Sequence, residues 1–317
     1  MEEQPTMKLV ITEGENFSEK ALKLLKSKFQ VTILDKKSEL YQHIDSVDVL
    51  FIRLGINFNK ELLRKATKLK VICSPTTGLD HIDLKFCKEN SVSIISLKNE
   101  QEFLGSIPST AEHTWTLLQA VNRNLVNAHN HTLKMNWNRD LFKSYNLKDK
   151  TIGLLGYGRV GKQVAGYAIA FGMKVIAYDT NEKITEENVT LMRSPEELFS
   201  KSDFVSIHIP YEERNINFVN HRLLRRMKRT ACLINTSRGK IWDEDQVCKL
   251  LLNKKIRGVA TDVVYCENSS DIYQSPLFQI DTNIYNCIIT PHIAGATFDS
   301  MKMTEEFIAN KLIKHGC

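Results

Sequence analysis

At 317 residues, 42% hydrophobic and 25% charged, the chain has material for about two domains of ordinary size, each with its own core. Its net charge of +6 comes from interspersed acids and bases, which excludes a nucleic-acid patch and fits a solvated surface mildly biased toward anionic small molecules. No apolar run approaches the ~18 residues of a membrane span, and the acidic start MEEQPTMKLV lacks the basic and apolar regions of a secretion signal.

In chain order, MKLVIT predicts a strand, SEKALKLLKSKF an amphipathic helix and QVTIL a second strand. A weak helix at SELYQHI precedes the strand DVLFIR. The helix NKELLRKAT, the strand KLKVICS, the helix HIDLKFCKEN and the strand SVSIISL follow. Strands alternating with helices imply a mostly parallel, doubly wound sheet. Residues 106–123 predict a long helix with a capping box, Ser109 answered by Glu112. It is apolar on more than one side, the pattern of a helix buried between domains or subunits. Beyond it a second α/β run begins at Thr151 and continues through SPEELFSKS (helix), FVSIHIP (strand), HRLLRRMKR (helix), ACLINTS (strand), DEDQVCKLLLNKK (helix) and IRGVATDVV (strand). NCIITPHI predicts the last strand, and Ala296 to His315 a terminal helix. Two α/β domains are therefore expected, with chemistry in the cleft at the carboxyl ends of the strands.

Seven cysteines (73, 87, 232, 248, 266, 287 and 317) contain no CxxC pair and no metal-ligand spacing. Reduced thiols in a cytoplasm are expected, mostly acting as small hydrophobes; Cys266 is also read as incidental.

The second run opens on TIGLLGYGRVG. A short apolar strand breaks into Gly156-x-Gly158-x-x-Gly161, a helix starts near Arg159, and the strand MKVIAYD ends on Asp179, 18 residues beyond Gly161. That is the order of a dinucleotide-binding unit: a sharp turn, a backbone close to the pyrophosphate and a helix packed tightly on its strand. The phosphates would sit on the amides and positive dipole end of the helix. Asp179 would accept from the adenosine ribose hydroxyls and repel a 2′-phosphate, favouring NAD over NADP.

Three polar clusters end strands of the second domain: Asn235–Gly239, Asp262–Glu267 and Thr290–Gly295. If the strands are parallel neighbours, Arg238, Glu267 and His292 converge. An arginine fork can hold the carboxylate of a 2-oxo acid. An imidazole can donate a proton to the carbonyl oxygen as hydride arrives, and a carboxylate on its other nitrogen fixes the tautomer. Taken singly, each has an ordinary reading: a surface charge, a loop acid and a turn histidine beside proline.

The segments TTGLDHIDL, STAEHTWTLL, LLGYGRVG, SIHIP, LINTSRG, ATDVVYCE and TPHIAG resemble, in order, the motifs of the D-isomer-specific 2-hydroxyacid dehydrogenases, closest to D-3-phosphoglycerate dehydrogenase-like members. The resemblance implies a flavodoxin-like substrate domain (1–104), a Rossmann NAD-binding domain (105–291) and a segment (292–317) returning to the substrate domain. It implies Arg238 on the substrate carboxylate, with Glu267 and His292 as acid/base pair. Gly156, Gly158, Arg159, Val160, Gly161 and Asp179 would hold NAD, with His208, Pro210 and Thr236 lining it and Asp262 on the nicotinamide amide. Thr77 and Gly78 would face the substrate carboxylate, and Arg53 stands where related enzymes hold a phosphate. A homodimer through the helix at 106–123 and no C-terminal regulatory domain are further expectations. Departures fall beside the implied site: Asn268 replaces a usual proline, Lys240 a small residue and Trp242 an aliphatic. Two alternatives share the fold: a dinucleotide-sensing corepressor-type protein, and a dehydrogenase of a phosphorylated sugar acid.

Overall fold

The computed structural model describes residues 7–181, 186–267 and 271–315. The chain divides into two compact units, one formed by residues up to Ser106 together with those from Ala296 onward, the other by Ile107–Gly295. His292 therefore stays with the second unit.

The first unit is a parallel sheet of β1 (Lys8–Ile11), β2 (Gln30–Ile33), β3 (Val49–Phe51), β4 (Val71–Ser74) and β5 (Ser93–Ser96), in the order β2-β1-β3-β4-β5, which is flavodoxin-like. The runs VLF and VICS are buried throughout, as strands covered on both faces must be. The period-2 alternation splits β1 between two cores. Leu9 and Ile11 join Val49 and Phe51 on one face, while Val10 joins Leu50, Ile52 and Ile72 on the other. The helix Phe298–His315 closes the first of these cores with the fully buried Ile308, Ala309 and Leu312.

The second unit is a seven-stranded parallel sheet of β6 (Thr151–Leu155), β7 (Lys174–Tyr178), β8 (Val189–Leu191), β9 (Phe204–Ile207), β10 (Cys232–Asn235), β11 (Gly258–Thr261) and β12 (Cys287–Ile289). Its order, β12-β11-β10-β9-β6-β7-β8, is that of a Rossmann sheet extended by β12. Leu155, Val205, Leu233 and Val259 pack one face against Phe199, Leu223 and Trp242. Ile152, Leu154, Phe204 and Ile234 pack the other against Leu118 and Val121 of the helix Ser109–Asn122 and Val164 of the helix Arg159–Ala170.

Several elements differ from the sequence reading. The capping box is not formed: Pro108 occupies the N-cap with no side-chain bond, because its φ of −90° and ψ of −16° are already helical and put Ser109 inside the first turn. The helix expected over HRLLRRMKR is one turn, His221–Leu224, capped by Asn220. The helices Gln101–Gly105 and Leu125–Leu133 and the edge strand β8 were not anticipated. Five of the six described cysteines are buried, and Cys266 is half-buried with its thiol donating to the Ile272 carbonyl. Burial pushes the thiols of Cys232 and Cys248 up to about 11 and about 12. Asn268 and Cys317 lie outside the described residues. Also among the described residues, no helix is long and apolar enough to cross a membrane.

Candidate active site

The glycine turn follows β6 directly. Gly156 has φ +97°, a region side chains disfavour, and a β-carbon there would lie 2.8 Å from the backbone of His208 and Ile209. At Gly161 a β-carbon would come 2.4 Å from the Gly156 carbonyl oxygen, so helix and turn touch through backbone alone. Around Gly158 nothing lies within 4 Å of that position. This open space faces the start of the 12-residue helix Arg159–Ala170, whose first-turn N–H groups have no intrahelical acceptor. A pyrophosphate fits there on both counts. Arg159 and Val160 are half-buried in that first turn, and Arg159 Nη1 donates to the Ile107 carbonyl at 3.1 Å.

Asp179 does more than end β7. Its Oδ2 accepts the Tyr157 N–H of the glycine turn at 2.7 Å, and its Oδ1 the Asn181 N–H at 2.8 Å. The carboxylate braces the turn and keeps lone pairs for a ribose hydroxyl. The Tyr157 hydroxyl donates to Glu186, which also pairs with Lys162 at 3.0 Å.

His208 lies at the end of β9, its N–H on the Leu155 carbonyl and its Nε2 2.9 Å from Ser206 Oγ. Burial, helped by the Arg159 charge, pushes the imidazole down to about 3, so it lines the turn as a neutral ring. Pro210 is exposed, and its carbonyl accepts from Asn215. The buried Thr236 shares a 2.7 Å bond with Thr114, whose own hydroxyl is held by the Thr110 carbonyl.

The ends of β10, β11 and β12 are adjacent, with Asn235 opposite Thr261 and Thr261 opposite Ile289. The loops carrying Arg238, Glu267 and His292 therefore leave from neighbouring strands. Asn235 shapes the first loop, its Nδ2 donating to the Arg238 carbonyl and its Oδ1 accepting the Ser237 N–H, both at 3.0 Å. Arg238 is half-buried, with Nη1 on the Ser237 carbonyl at 2.8 Å. Glu267 Oε1 and His292 Nδ1 are hydrogen-bonded directly. A carboxylate only accepts, so Nδ1 carries a proton and Nε2 is left for chemistry. The two side chains are 25% and 21% exposed, open enough for a small ligand to reach.

Asp262 is 1% exposed. Burial alone would raise its pKa, but bonds from His113, Thr290 and the amides of Ala294 and Ile293 outweigh that and hold it below the usual carboxylate range. Glu244, likewise buried, accepts the Tyr265 N–H at 2.5 Å and the Ser275 hydroxyl at 2.6 Å, fixing the loop that leads to Glu267. Burial pushes its carboxyl up, against those bonds. Trp242 is fully buried beside it, and Lys240 is exposed with its Nζ 5.7 Å from the Tyr211 ring centre. His113, Tyr157 and Glu244 carry no sign of a role in the sequence, and Asn235 and Thr290 stand there only as the first residues of polar clusters, because only folding brings their partners to them.

The remaining residues belong to the first unit. Thr77, exposed, and Gly78, half-buried, form the tip after β4, where Thr76 Oγ1 donates to the Gly78 carbonyl at 2.8 Å. Arg53 is occupied within its unit. Nε and Nη2 donate to Glu305 Oε1 at 3.0 and 2.5 Å, and Nη1 to the Glu15 carbonyl at 2.9 Å.

Comparisons with known proteins give the family. Residues 115–294 match the family model described as D-isomer specific 2-hydroxyacid dehydrogenase, NAD binding domain. The chain is 30% identical to a hydroxypyruvate reductase of Thermotoga maritima, over 93% of this chain and 94% of that one. It is 31% identical to a D-3-phosphoglycerate dehydrogenase of Methanocaldococcus jannaschii, over 97% of this chain but 57% of the relative. A solved D-lactate dehydrogenase of Aquifex aeolicus, complexed with NAD and lactic acid, superposes with a TM-score of 0.79 at 28% identity, covering 97% of this chain and 94% of that one. The chain belongs to the D-isomer specific 2-hydroxyacid dehydrogenases and is an NAD-dependent oxidoreductase of that family.

Proposed function

We propose that the protein interconverts a small, unphosphorylated 2-oxo acid, such as hydroxypyruvate or glyoxylate, with its 2-hydroxy acid, of D configuration where C2 is a stereocentre. The observation that carries the reading is the Glu267–His292 hydrogen bond on loops from adjacent strands. NAD, when bound, supplies or accepts the hydride at C2. Arg238 binds the substrate carboxylate and polarises the ketone. His292 donates a proton from Nε2 to the carbonyl oxygen during reduction and takes it back during oxidation. Glu267 keeps the ring oriented and stabilises the imidazolium. Thr77 and Gly78, at the tip after β4, offer backbone amides suited to a carboxylate.

The engagement of Arg53 with Glu305 supports an unphosphorylated substrate over 3-phosphohydroxypyruvate, because the guanidinium that would hold a phosphate is already bound to a carboxylate. We place the enzyme in the cytoplasm as a homodimer. Leu125, Leu133, Met135, Trp137 and Leu141, exposed beyond the helix Ser109–Asn122, supply apolar surface for a second copy.

The test is NADH consumption, with NADPH in comparison, on hydroxypyruvate, 3-phosphohydroxypyruvate, glyoxylate and pyruvate. Turnover of an unphosphorylated acid with NADH is expected. A preference for the phosphorylated acid removes the substrate assignment, and no turnover with any acid favours a dinucleotide sensor.

A further inference from the structure

We propose that His113 is a positioning residue for the reacting imidazole, acting through Thr290 and Asp262 on the loop that carries His292. The proposal rests on the role given to His292 above and deepens it.

His292 has φ +53°, a left-handed conformation that residues with a β-carbon disfavour. Such a backbone persists only where its surroundings over-determine it. Here they do. The His292 N–H donates to the carbonyls of Asp262 and Thr290, both at 3.0 Å. The next two residues, Ile293 and Ala294, donate their N–H groups to the Asp262 carboxylate at 2.9 and 2.8 Å. The loop is thus gripped at three consecutive amides by one residue and its neighbour across the sheet.

The grip depends on the Asp262 carboxylate staying where it is, and the third side of that carboxylate is His113. His113 projects from the helix Ser109–Asn122 with 16% of its side chain exposed. Its Nε2 lies 3.0 Å from Thr290 Oγ1 and 3.4 Å from Asp262 Oδ1. A threonine hydroxyl has one proton. Thr290 directs it to Asp262 Oδ1 at 2.6 Å, so its oxygen must accept from His113, and this network assigns the ring proton of His113 to Nε2. The result is a relay of donors, His113 to Thr290 to Asp262, meeting the two amide donors at the same carboxylate. Removing the imidazole leaves Thr290 Oγ1 without its donor and one side of a buried carboxylate unsupported. The loop can then relax from its left-handed turn, and the His292 ring leaves Glu267.

The test uses the full chain with His113→Leu and His113→Gln. Leucine fills the space and donates nothing, while the glutamine amide reaches the place of Nε2. In nitrogen-15 edited spectra of the cofactor-free protein, the Nδ1–H of His292 is expected as a downfield resonance, assigned by its loss in His292→Gln. It should persist in His113→Gln and vanish in His113→Leu. On any 2-oxo acid the wild type reduces, kcat should fall about ten- to a hundredfold in His113→Leu and largely recover in His113→Gln, with KM and NADH affinity within about twofold. A His113→Leu protein that keeps the resonance overturns the proposal, as does a glutamine variant no better than the leucine one. If the wild type reduces none of the acids, the functional reading falls while the resonance still decides the role of His113.

Discussion

Arg53→Met should destabilise the protein rather than impair its chemistry. Three guanidinium bonds are lost, two to Glu305 Oε1 and one to the Glu15 carbonyl. The pair is nearly dry, with side-chain exposures of 16% and 1%, and Glu305 keeps only the Ser18 N–H, on its other oxygen. Breaking a buried pair costs about 3–5 kcal/mol, and the partial exposure of Arg53 places this one near about 3 kcal/mol. For a chain of 317 residues that is a fall in Tm of roughly 4–5 °C. Calorimetry of Arg53→Met, Glu305→Met and the double variant measures it, and the double variant should recover most of the loss because two methionines leave no unpaired charge. A pH arm follows from Glu305, whose carboxyl is raised by burial against the Ser18 amide and Arg53. A folded carboxyl that holds its proton longer than the unfolded one makes stability greatest below the ordinary glutamate value of 4.5, declining as pH rises through the raised value. Without Arg53 that decline should extend to higher pH. A Tm within 2 °C of wild type (roughly a tenth of a typical stability), together with a large rise in KM for an unphosphorylated acid, would refute the reasoning and return Arg53 to the substrate.

Other perturbations separate the parts of the site. His292→Ala should reduce kcat by at least about a hundredfold and leave NADH fluorescence titrations unchanged; equal loss of both would remove it from the chemistry. Gly161→Val should abolish NADH binding, because its β-carbon would sit 2.4 Å from the Gly156 carbonyl oxygen; titration at wild-type affinity would contradict the close approach. Arg238→Lys should raise KM and lower kcat together, since a point charge cannot replace a fork, and unchanged constants would exclude it from the site. Glu244→Ala should cost about 2–3 kcal/mol in denaturant unfolding by orphaning the Tyr265 N–H and the Ser275 hydroxyl.

How much of this could be read in advance depended on distance along the chain. The glycine turn was legible because its glycines, helix and terminal acid lie within one stretch, and backbone geometry dictates each residue. That the loops of Arg238, Glu267 and His292 leave neighbouring strands was legible, because polar residues end three successive apolar strands of a parallel sheet. Arg53 carried no sign of its partner, which lies 252 residues further on. His113 was equally silent, 177 residues before Thr290. Leu125–Leu133, LVNAHNHTL, gives no sign of a helix because its two asparagines and two histidines hide a helical period. Ser109 misled because a capping box in sequence says nothing about whether Pro108 already has helical dihedrals.

The first unit draws its last helix from the far end of the chain, and Ile308, Ala309 and Leu312 complete a core begun by Leu9 and Ile11. During synthesis, then, the earliest strands wait with one side uncovered while the whole nucleotide-binding unit emerges and can fold. For this half of the molecule the core is complete only when residues near the end of the sequence join it. A chain truncated before Phe298 should hold a finished second unit attached to an unfinished first one, with its apolar sheet open to chaperones.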